Sequence, residues 1–256
     1  MNRSTPYTQL ANVWDDMGQD EHSMKMADYT LKIMRKHKIK ATFGLDLCCG
    51  TGTAIKLFLD EGFVMAGLDG SPEMLAVAAR KLHRRGVRLY QKQLPKFRLL
   101  SDNDSRSNVT FDFVTSFYDS LNYLTSTREL GTCFKSVADH LHRGGWFIFD
   151  MNTPTALRTI WGGQTYAEAR DDIAWVWRND FNPRTNTALC RTTTFVKEGK
   201  LWRRFDEDHY ERGYTNTVIR SLLREAGFVV KGFYRCYRFD APTKSTYRIC
   251  AVARKK

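Results

Sequence analysis

The spacing of apolar residues between positions 41 and 154 predicts strands and helices in alternation. Residues 146–149 are continuously apolar, as in a strand that helices cover on both faces. Four strands alternate with helices before a fifth, and an amphipathic helix over residues 24–34 precedes them all. The alternation predicts a parallel sheet in an α/β domain.

Polar residues and glycines indicate where these helices begin and end. Ser71 can cap the helix after the second strand, with Pro72 at its first position. Residues 126–129 have the form of a capping box, which starts the helix after the fourth strand. We expect Gly144 and Gly145 to end that helix.

The pattern changes beyond Asp150. Residues 173–210 are rich in Trp, Thr, Phe and Val and alternate between apolar and polar, which predicts an antiparallel insertion. A helix that starts at Thr215 follows, with a glycine at its carboxyl end. Residues 228–239 and 246–253 then predict a final hairpin.

A glycine-rich turn after the first strand indicates a nucleotide-bearing ligand. Gly50 and Gly52 have no Cβ, so backbone N–H groups there can approach a ligand closely. The helix that starts near Thr53 directs further unpaired N–H groups toward the same place. Asp69, nineteen residues beyond Gly50 at the end of the second strand, can accept both hydroxyls of a ribose.

Two departures from the dinucleotide-binding pattern favour a cationic cofactor. Ile55 stands where that pattern has its third glycine. Asp46 precedes the turn, where a pyrophosphate would gain nothing from another negative charge. A carboxylate at that point suits S-adenosylmethionine, which carries a sulfonium and an ammonium group. A nicotinamide dehydrogenase is disfavoured for the same reasons.

On these residues the chain resembles the class I S-adenosylmethionine-dependent methyltransferases. The acidic residue and glycine loop of that family match residues 46–52, with Cys48 in place of the first glycine. The resemblance continues through residues 68–75, 111–124 and 143–150. It implies an α/β fold with a doubly wound, seven-stranded, mostly parallel, Rossmann-like sheet and an antiparallel β insertion after the fifth strand.

The same resemblance implies a division of the chain. Residues 1–151 and 213–256 would form the core that binds S-adenosylmethionine, and residues 1–22 are a candidate lid. Residues 152–212 would form the insertion that covers the substrate site.

Individual residues also receive roles by resemblance. Asp69 would bind the ribose, Met74 would pack against adenine, and Gln93 would replace the acid that accepts the adenine amino group. Tyr7 and Trp14 can serve either the cofactor or ordinary packing. The cofactor-binding residues expected on this basis are Asp46, Cys48, Gly50, Gly52, Thr53, Asp69, Gly70, Met74, Gln93, Leu94, Phe117, Tyr7 and Trp14.

The loop after the fourth strand should border the reactive methyl group, because ligands of doubly wound sheets bind at the carboxyl ends of the strands. Its candidate substrate contacts are Asp119, Asn122 and Tyr123, and Tyr118 is a candidate for catalysis. Asp119 can equally cap a short helix.

His209 is the candidate general base. Strand periodicity places it on one face of the insertion with Phe205 and Glu207, and a purely structural role remains the alternative. Trp177 is a candidate for an aromatic wall against the substrate, with core packing as its alternative.

Charge and cysteine content narrow the class of protein. The net charge of +12 can supply the sequence-independent part of RNA binding, but the basic residues are spread along the chain, as on a solvated surface. No apolar run is long enough for a bilayer and the N-terminus lacks a secretion signal, so we expect a cytoplasmic protein. The six cysteines have neither metal-site spacing nor a disulfide pattern, so we expect reduced thiols and no metal.

The sequence therefore predicts an S-adenosylmethionine-dependent methyltransferase, a monomer or homodimer, that methylates nitrogen or oxygen of a small molecule or short peptide. An RNA or tRNA methyltransferase is one alternative, although residues 116–119 lack the proline-containing motif of enzymes that methylate base amines. A regulatory protein that binds S-adenosylmethionine without catalysis is the other.

Overall fold

Two β-sheets contain the strands in the part of the chain that the structure, a computed structural model, describes: residues 6–101 and 106–256. In chain order the strands are β1 (Phe43–Leu47), β2 (Val64–Asp69), β3 (Arg88–Gln91), β4 (Phe111–Ser116), β5 (Leu141–Asn152), β6 (Thr165–Ala169), β7 (Ile173–Asn182), β8 (Thr187–Glu198), β9 (Leu201–Arg212), β10 (Phe228–Arg235) and β11 (Arg248–Lys255).

The first sheet has seven strands in the spatial order β10-β11-β5-β4-β1-β2-β3. β11 runs antiparallel to both of its neighbours, whereas the five strands from β5 to β3 are mutually parallel. The doubly wound, mostly parallel sheet predicted from the sequence is confirmed. Its connections diverge between β1 and β4, so the carboxyl ends of these two strands border a crevice.

Helices cover both faces of the first sheet. They are α1 (Glu21–Lys36), α2 (Thr53–Asp60), α3 (Pro72–Lys81), α4 (Thr127–Asp139), the single turn α5 (Pro154–Ala156) and α6 (Asn216–Glu225). The predicted caps are confirmed: the Ser71 hydroxyl accepts the N–H of Met74, and Ser126 and Glu129 form a capping box.

Two apolar layers bury these helices against the sheet. Phe134 of α4 and Leu223 of α6 lie in one layer, whereas Ile33 of α1 and Phe58 of α2 lie in the other. All four side chains are fully buried. Each such side chain stabilises the fold by about 1.5–3 kcal/mol relative to leaving it exposed.

The second sheet is antiparallel, has the order β6-β7-β8-β9 and follows β5 in the chain, as predicted. Phe205, Glu207 and His209 of β9 are all buried on one face, as strand periodicity predicted. Against this face pack Leu10 and Met17, from the segment that precedes α1.

The prediction that Gly144 and Gly145 end a helix was wrong. The helix α4 ends at Asp139, and both glycines lie inside β5. They form an irregularity in the pairing of β5 with β4, where Gly144 has φ +83°. A Cβ on Gly145 would lie 2.9 Å from the carbonyl oxygen of His142, so glycine is required there by close approach of the backbone.

The helix expected between β3 and β4 is also absent from the described residues of that connection, 92–101 and 106–110. Phe97 and Leu99 are buried at alternate positions, which is extended and not helical spacing. The N–H of Leu99 donates to Nε2 of the buried His140 at 2.9 Å, which holds this connection against the end of α4.

Candidate active site

A cavity of about 550 Å³ lies at the carboxyl ends of the parallel strands. This volume is within the range of small-molecule and cofactor sites. Its walls come from the loops after β1, β2, β3 and β4 and from the segment before α1. Of the predicted cofactor-binding residues, those lining the cavity are Asp46, Cys48, Gly50, Thr53, Asp69, Gly70, Met74, Gln93, Leu94, Phe117, Tyr7 and Trp14.

The loop after β1 turns through three residues in the left-handed region. Cys48, Gly50 and Gly52 have φ of +60°, +52° and +79°. Cys48 thus adopts a conformation that glycine reaches more readily, which explains the glycine usual at this place. Gly52 does not line the cavity, and a Cβ there would lie 2.8 Å from Cδ1 of Leu82. Its role in the structure is the close packing of α2 against the end of α3.

Asp69 ties this loop to the end of β2. Its Oδ2 accepts the N–H of Gly50 at 2.8 Å and its Oδ1 accepts the N–H of Ser71 at 2.9 Å. Burial raises the pKa of Asp69, against the opposing effect of these N–H groups. Each carboxylate oxygen has a second lone pair, so both can still accept a hydrogen bond from a ligand hydroxyl.

Asp46 is a second buried carboxyl group at the cavity. It is only 3% exposed, and its Oδ1 accepts the hydroxyl of Thr115 at 2.8 Å. Burial raises the pKa of Asp46 to about 7; the Thr115 hydroxyl opposes this shift and the charge of Asp69 adds to it. A cation bound next to Asp46 would favour the ionised carboxylate.

Apolar and amide groups line another part of the cavity. Met74 and Leu124 are buried there, and Leu94 lies with them. The Gln93 amide nitrogen donates to the carbonyl oxygen of Gly70 at 3.1 Å, which leaves the Gln93 amide oxygen out of that bond. A Cβ on Gly70 would lie within 2.7 Å of the Gln93 side chain, so glycine allows this contact.

The segment before α1 contributes an aromatic wall. Tyr7 meets Trp14 edge-on with ring centroids 5.3 Å apart, and Trp14 lies 5.7 Å from Tyr118. The Tyr118 ring stacks on His22 at 4.7 Å, and its hydroxyl donates to Oε1 of Gln19 at 2.6 Å. Flat π faces that line the same cavity as Asp46 provide an environment that favours a cation.

A chain of hydrogen bonds leads from this wall into the second sheet. The hydroxyls of Tyr7 and Tyr123 lie 2.6 Å apart, and the Tyr123 hydroxyl lies 2.8 Å from Nδ1 of His209. Tyr7 and Tyr123 line the cavity, whereas His209 is buried behind them. Burial raises the pKa of both tyrosines well above their ordinary value, so both hydroxyls stay neutral.

Comparisons with known proteins agree with this geometry. A sequence model described as a methyltransferase domain matches residues 45–145. The putative methyltransferase YqeM of Bacillus subtilis is 28% identical over 211 residues, 82% of this chain and 83% of YqeM. The crystal structure of an S-adenosylmethionine-dependent methyltransferase from Clostridium acetobutylicum has a TM-score of 0.84 and 27% identity, covering 96% of this chain and 98% of that one.

The family model, the relatives and the solved structures together support a class I S-adenosylmethionine-dependent methyltransferase. They likewise support S-adenosylmethionine as its cofactor. A further relative, the dTDP-3-amino-3,4,6-trideoxy-alpha-D-glucopyranose N,N-dimethyltransferase of Streptomyces venezuelae, is 29% identical over 195 residues, 75% of this chain and 72% of the relative. The crystal structure of Streptomyces venezuelae DesVI has a TM-score of 0.76 and 25% identity, covering 94% of this chain and 97% of that one.

The methyltransferase also holds a buried charge cluster that the sequence did not indicate. Nη1 of Arg248 donates to Oδ1 of Asp119 at 2.6 Å and to Oδ2 of Asp150 at 2.5 Å. Burial alone would raise the pKa of Asp150, but the charge of Arg248 and the interactions with His22 together outweigh it, and the pKa is lowered. Burial, with the charge of Asp119, raises the pKa of Glu211 well above its ordinary value. The members come from separate loops and strands, so no local motif connects them.

Three predicted substrate contacts of the methyltransferase do not border the cavity. Asp119 is held by Arg248. The Asn122 amide donates to the carbonyl oxygens of Asn152 and Arg212, and its oxygen accepts the N–H of Asn152, so it joins three elements and is fully buried. Trp177 packs beside the apolar cluster beneath the second sheet. Tyr123 is the predicted substrate contact that does line the cavity.

None of the helices among the described residues is both long and apolar enough to cross a membrane. Within the same residues, no three His, Cys, Asp or Glu side chains are grouped so as to hold a metal ion.

Proposed function

We propose that this methyltransferase transfers the methyl group of S-adenosylmethionine to the nitrogen of a small-molecule amine. The proposal rests on a hydrogen-bond chain that begins at the cavity wall with two tyrosine hydroxyls and ends at a buried imidazole. It is supported by the relative whose name describes the N,N-dimethylation of an amino sugar nucleotide.

The residues of the cavity fit the cofactor in chemistry and size. Asp46 and Asp69 offer carboxylates to an ammonium group and to ribose hydroxyls, and the loop between them exposes backbone N–H groups through its left-handed turns. We assign Met74 and Leu94 to the adenine, with the Gln93 amide oxygen as the acceptor for its amino group. Bound there, S-adenosylmethionine supplies an electrophilic methyl group on a sulfonium.

We assign the acceptor amine to the part of the cavity bounded by Tyr7, Tyr118 and Tyr123. Their hydroxyls and rings can orient a nitrogen lone pair and exclude water from it. Alignment of this kind is the main catalytic contribution that a direct methyl transfer needs.

The hydrogen-bond chain provides a route for the proton that the amine must lose. The Tyr7 hydroxyl can accept a proton while it passes its own to Tyr123, and Tyr123 passes one in turn to Nδ1 of His209. Neither phenol has to ionise, which suits two groups whose pKa burial has raised. His209 acts as the terminal base, and base catalysis of this kind typically accelerates a reaction by about 10²–10⁴-fold.

This route favours nitrogen over an alcohol oxygen. An amine that enters as an ammonium ion becomes a nucleophile only after this route has taken its proton, so the relay and His209 assist the transfer directly. An alcohol holds its proton far more tightly than an ammonium ion does, and neither a neutral phenol nor an imidazole is basic enough to remove it.

The test is a paired assay that follows the formation of S-adenosylhomocysteine from each member of an acceptor panel. The panel combines amino sugars and simple amines with their hydroxyl counterparts. We expect turnover with amines, and a loss of about 100-fold in Tyr123→Phe, which lacks the relay hydroxyl. Tyr29→Phe is the matched control, because the hydroxyl of Tyr29 donates to the Arg238 carbonyl oxygen outside the cavity. Preference for the hydroxyl counterparts would contradict the proposal.

A further inference from the structure

The carboxylate of Glu207 binds the segment that covers the cofactor cavity. Residues 7–20, here called the strap, cross from the second sheet to the cofactor loop. Oε2 of Glu207 accepts the N–H of Tyr7 at 2.7 Å, and Oε1 accepts those of Gln9 and Leu10 at 2.8 and 3.2 Å. One side chain thus holds three backbone N–H groups between Tyr7 and Leu10 of the strap.

The strap in turn stabilises the buried carboxylate of Glu207. The side chain is 0% exposed, on the inner face of β9. Among the described residues it has no Lys or Arg partner, and Nε2 of His209 lies 3.4 Å from its Oε2. Burying a carboxylate is unfavourable unless hydrogen bonds compensate it, so the strap N–H groups are what makes this burial tolerable.

Asp15, in the middle of the strap, ties it to the cofactor loop. Nζ of Lys81 lies 2.7 Å from Oδ2 of Asp15 and donates to the hydroxyls of Thr51 and Thr53 at 3.0 and 2.6 Å. The Thr51 hydroxyl in turn donates to Oδ1 of Asp15 at 2.7 Å. The strap therefore bridges the second sheet and the loop after β1.

The cavity lies directly beneath this bridge. Tyr7, Thr8 and Trp14 of the strap line it together with the loops of the first sheet. The hydroxyl of Ser71, next to the carboxylate of Asp69, donates to the carbonyl oxygen of Tyr7 at 3.1 Å. Release of Tyr7 would thus remove one wall of the cavity.

We propose that Glu207 is a positioning residue that latches the strap over bound cofactor and so controls how fast the cofactor leaves. It acts through the strap backbone and does not touch the reacting atoms. By fixing Tyr7, Glu207 also positions the Tyr7 hydroxyl, which is the first group of the hydrogen-bond chain that leads to His209. The inference rests on the cofactor cavity and is independent of the nature of the methyl acceptor.

The test compares Glu207→Gln with wild type in the full-length protein. The glutamine has the same shape, but its NH₂ group would face a strap N–H. The hydrogen bonds that one of the two carboxylate oxygens accepts from the strap are therefore lost. Dissociation of S-adenosylhomocysteine is measured by stopped flow, and exchange of the amide hydrogens of residues 7, 9 and 10 is measured in parallel. We expect both rates to rise, the dissociation rate by roughly 10- to 100-fold.

Glu211→Gln is the matched control, on the same face of the same strand. Glu211 is also buried, but its carboxylate accepts a hydrogen bond from the Asn152 amide and not from the strap. It should leave both rates as in wild type. Glu207→Asp, which keeps the charge but shortens its reach, should give intermediate rates and serves if Glu207→Gln does not fold. Faster amide exchange with unchanged cofactor dissociation, or no change in either, would overturn the proposal.

Discussion

Tyr123 and His209 lie 86 positions apart in the chain, yet the hydroxyl oxygen of one is 2.8 Å from Nδ1 of the other. The short 3₁₀ turn Ser120–Tyr123 after β4 carries the tyrosine, and β9 of the second sheet carries the histidine. The contact therefore joins the cofactor-binding sheet to the antiparallel insertion. It brings the predicted base within reach of the cavity through a residue that was predicted only as a substrate contact.

Replacing His209 should slow turnover without weakening cofactor binding. His209→Gln removes the group that accepts the relayed proton, whereas none of the contacts around Asp46 or Asp69 involves it. We expect kcat to fall by about 100-fold or more and the Kd for S-adenosylmethionine to remain unchanged. Steady-state kinetics and calorimetric titration on one preparation would check both. A normal kcat would remove His209 from the proposed mechanism.

Asp69→Asn should weaken cofactor binding. The amide cannot accept hydrogen bonds at both ends, so it loses either the N–H of Gly50 or that of Ser71 as well as a ribose acceptor. We expect a loss of about 1–3 kcal/mol in binding free energy by calorimetry.

Asp112→Asn offers a matched control for that substitution. Its Oδ2 also accepts two backbone N–H groups, those of Thr42 and Phe43, but at the opposite end of β1, away from the cavity. It should change stability and leave cofactor affinity intact. Equal effects of the two substitutions on affinity would contradict our assignment of the ribose.

The cofactor affinity should depend on pH through Asp46. Because burial raises the pKa of Asp46 to about 7, the free protein holds this carboxyl group protonated at lower pH. A cationic ligand binds the ionised form, so binding must release a proton below pH 7. We expect affinity to fall by up to about tenfold per unit as the pH drops below 7, and to level off above it.

Calorimetry in buffers of different ionisation enthalpy would detect the released proton. Asp46→Asn cannot ionise and should bind more weakly at high pH, with a flat profile between pH 5 and 7. A pH-independent affinity in the wild-type protein would show that Asp46 does not meet the cationic part of the cofactor.

The same protonation affects stability. The folded protein binds the Asp46 proton more tightly than the unfolded chain, whose carboxyl group has its ordinary pKa. This contribution to the free energy of unfolding is fully present below pH 3.8 and is lost as the pH rises to about 7. Denaturant titrations of wild type and Asp46→Asn across that range would isolate it, because the contribution is absent in the variant.

Gly44→Ala should destabilise the fold. A Cβ on Gly44 in β1 would lie 2.3 Å from the ring of the fully buried Phe113. Overpacking of this kind costs about 1–3 kcal/mol. Gly131→Ala in α4 is the comparison, because its Cβ would approach only Cδ2 of Leu222, at 3.3 Å, and alanine favours a helix. Denaturation of both variants would check the contrast; equal stability would contradict the packing described at β1.

The cofactor side of the site could be predicted from sequence because it is local. The loop from Asp46 to Thr53 and the acid at Asp69 stand at the ends of two adjacent strands, so strand order alone brings them together. Periodicity likewise identified the buried face of β9 that carries Glu207 and His209.

The remainder depends on tertiary contacts that leave no local pattern. The bond between the strap and Glu207 spans about two hundred residues, and the charge cluster of Arg248 draws on three separate elements. The sequence predicts Asn122 as a substrate contact, but its amide instead donates to backbone carbonyl oxygens of β5 and β9. The prediction that Gly144 ends a helix failed for a related reason. Gly144 lies in an irregular part of the pairing between β4 and β5, and only the register of these two strands defines that irregularity.

Methylation of nitrogen is tested most directly by following the methyl carbon itself. S-adenosylmethionine labelled with ¹³C in its methyl group is incubated with the protein and acceptors that carry both an amine and hydroxyls, such as amino sugars. The chemical shift of the product carbon by NMR then identifies the atom that holds it. We expect an N-methyl signal that disappears in His209→Gln, whereas an O-methyl signal from the same acceptors would contradict methylation of nitrogen.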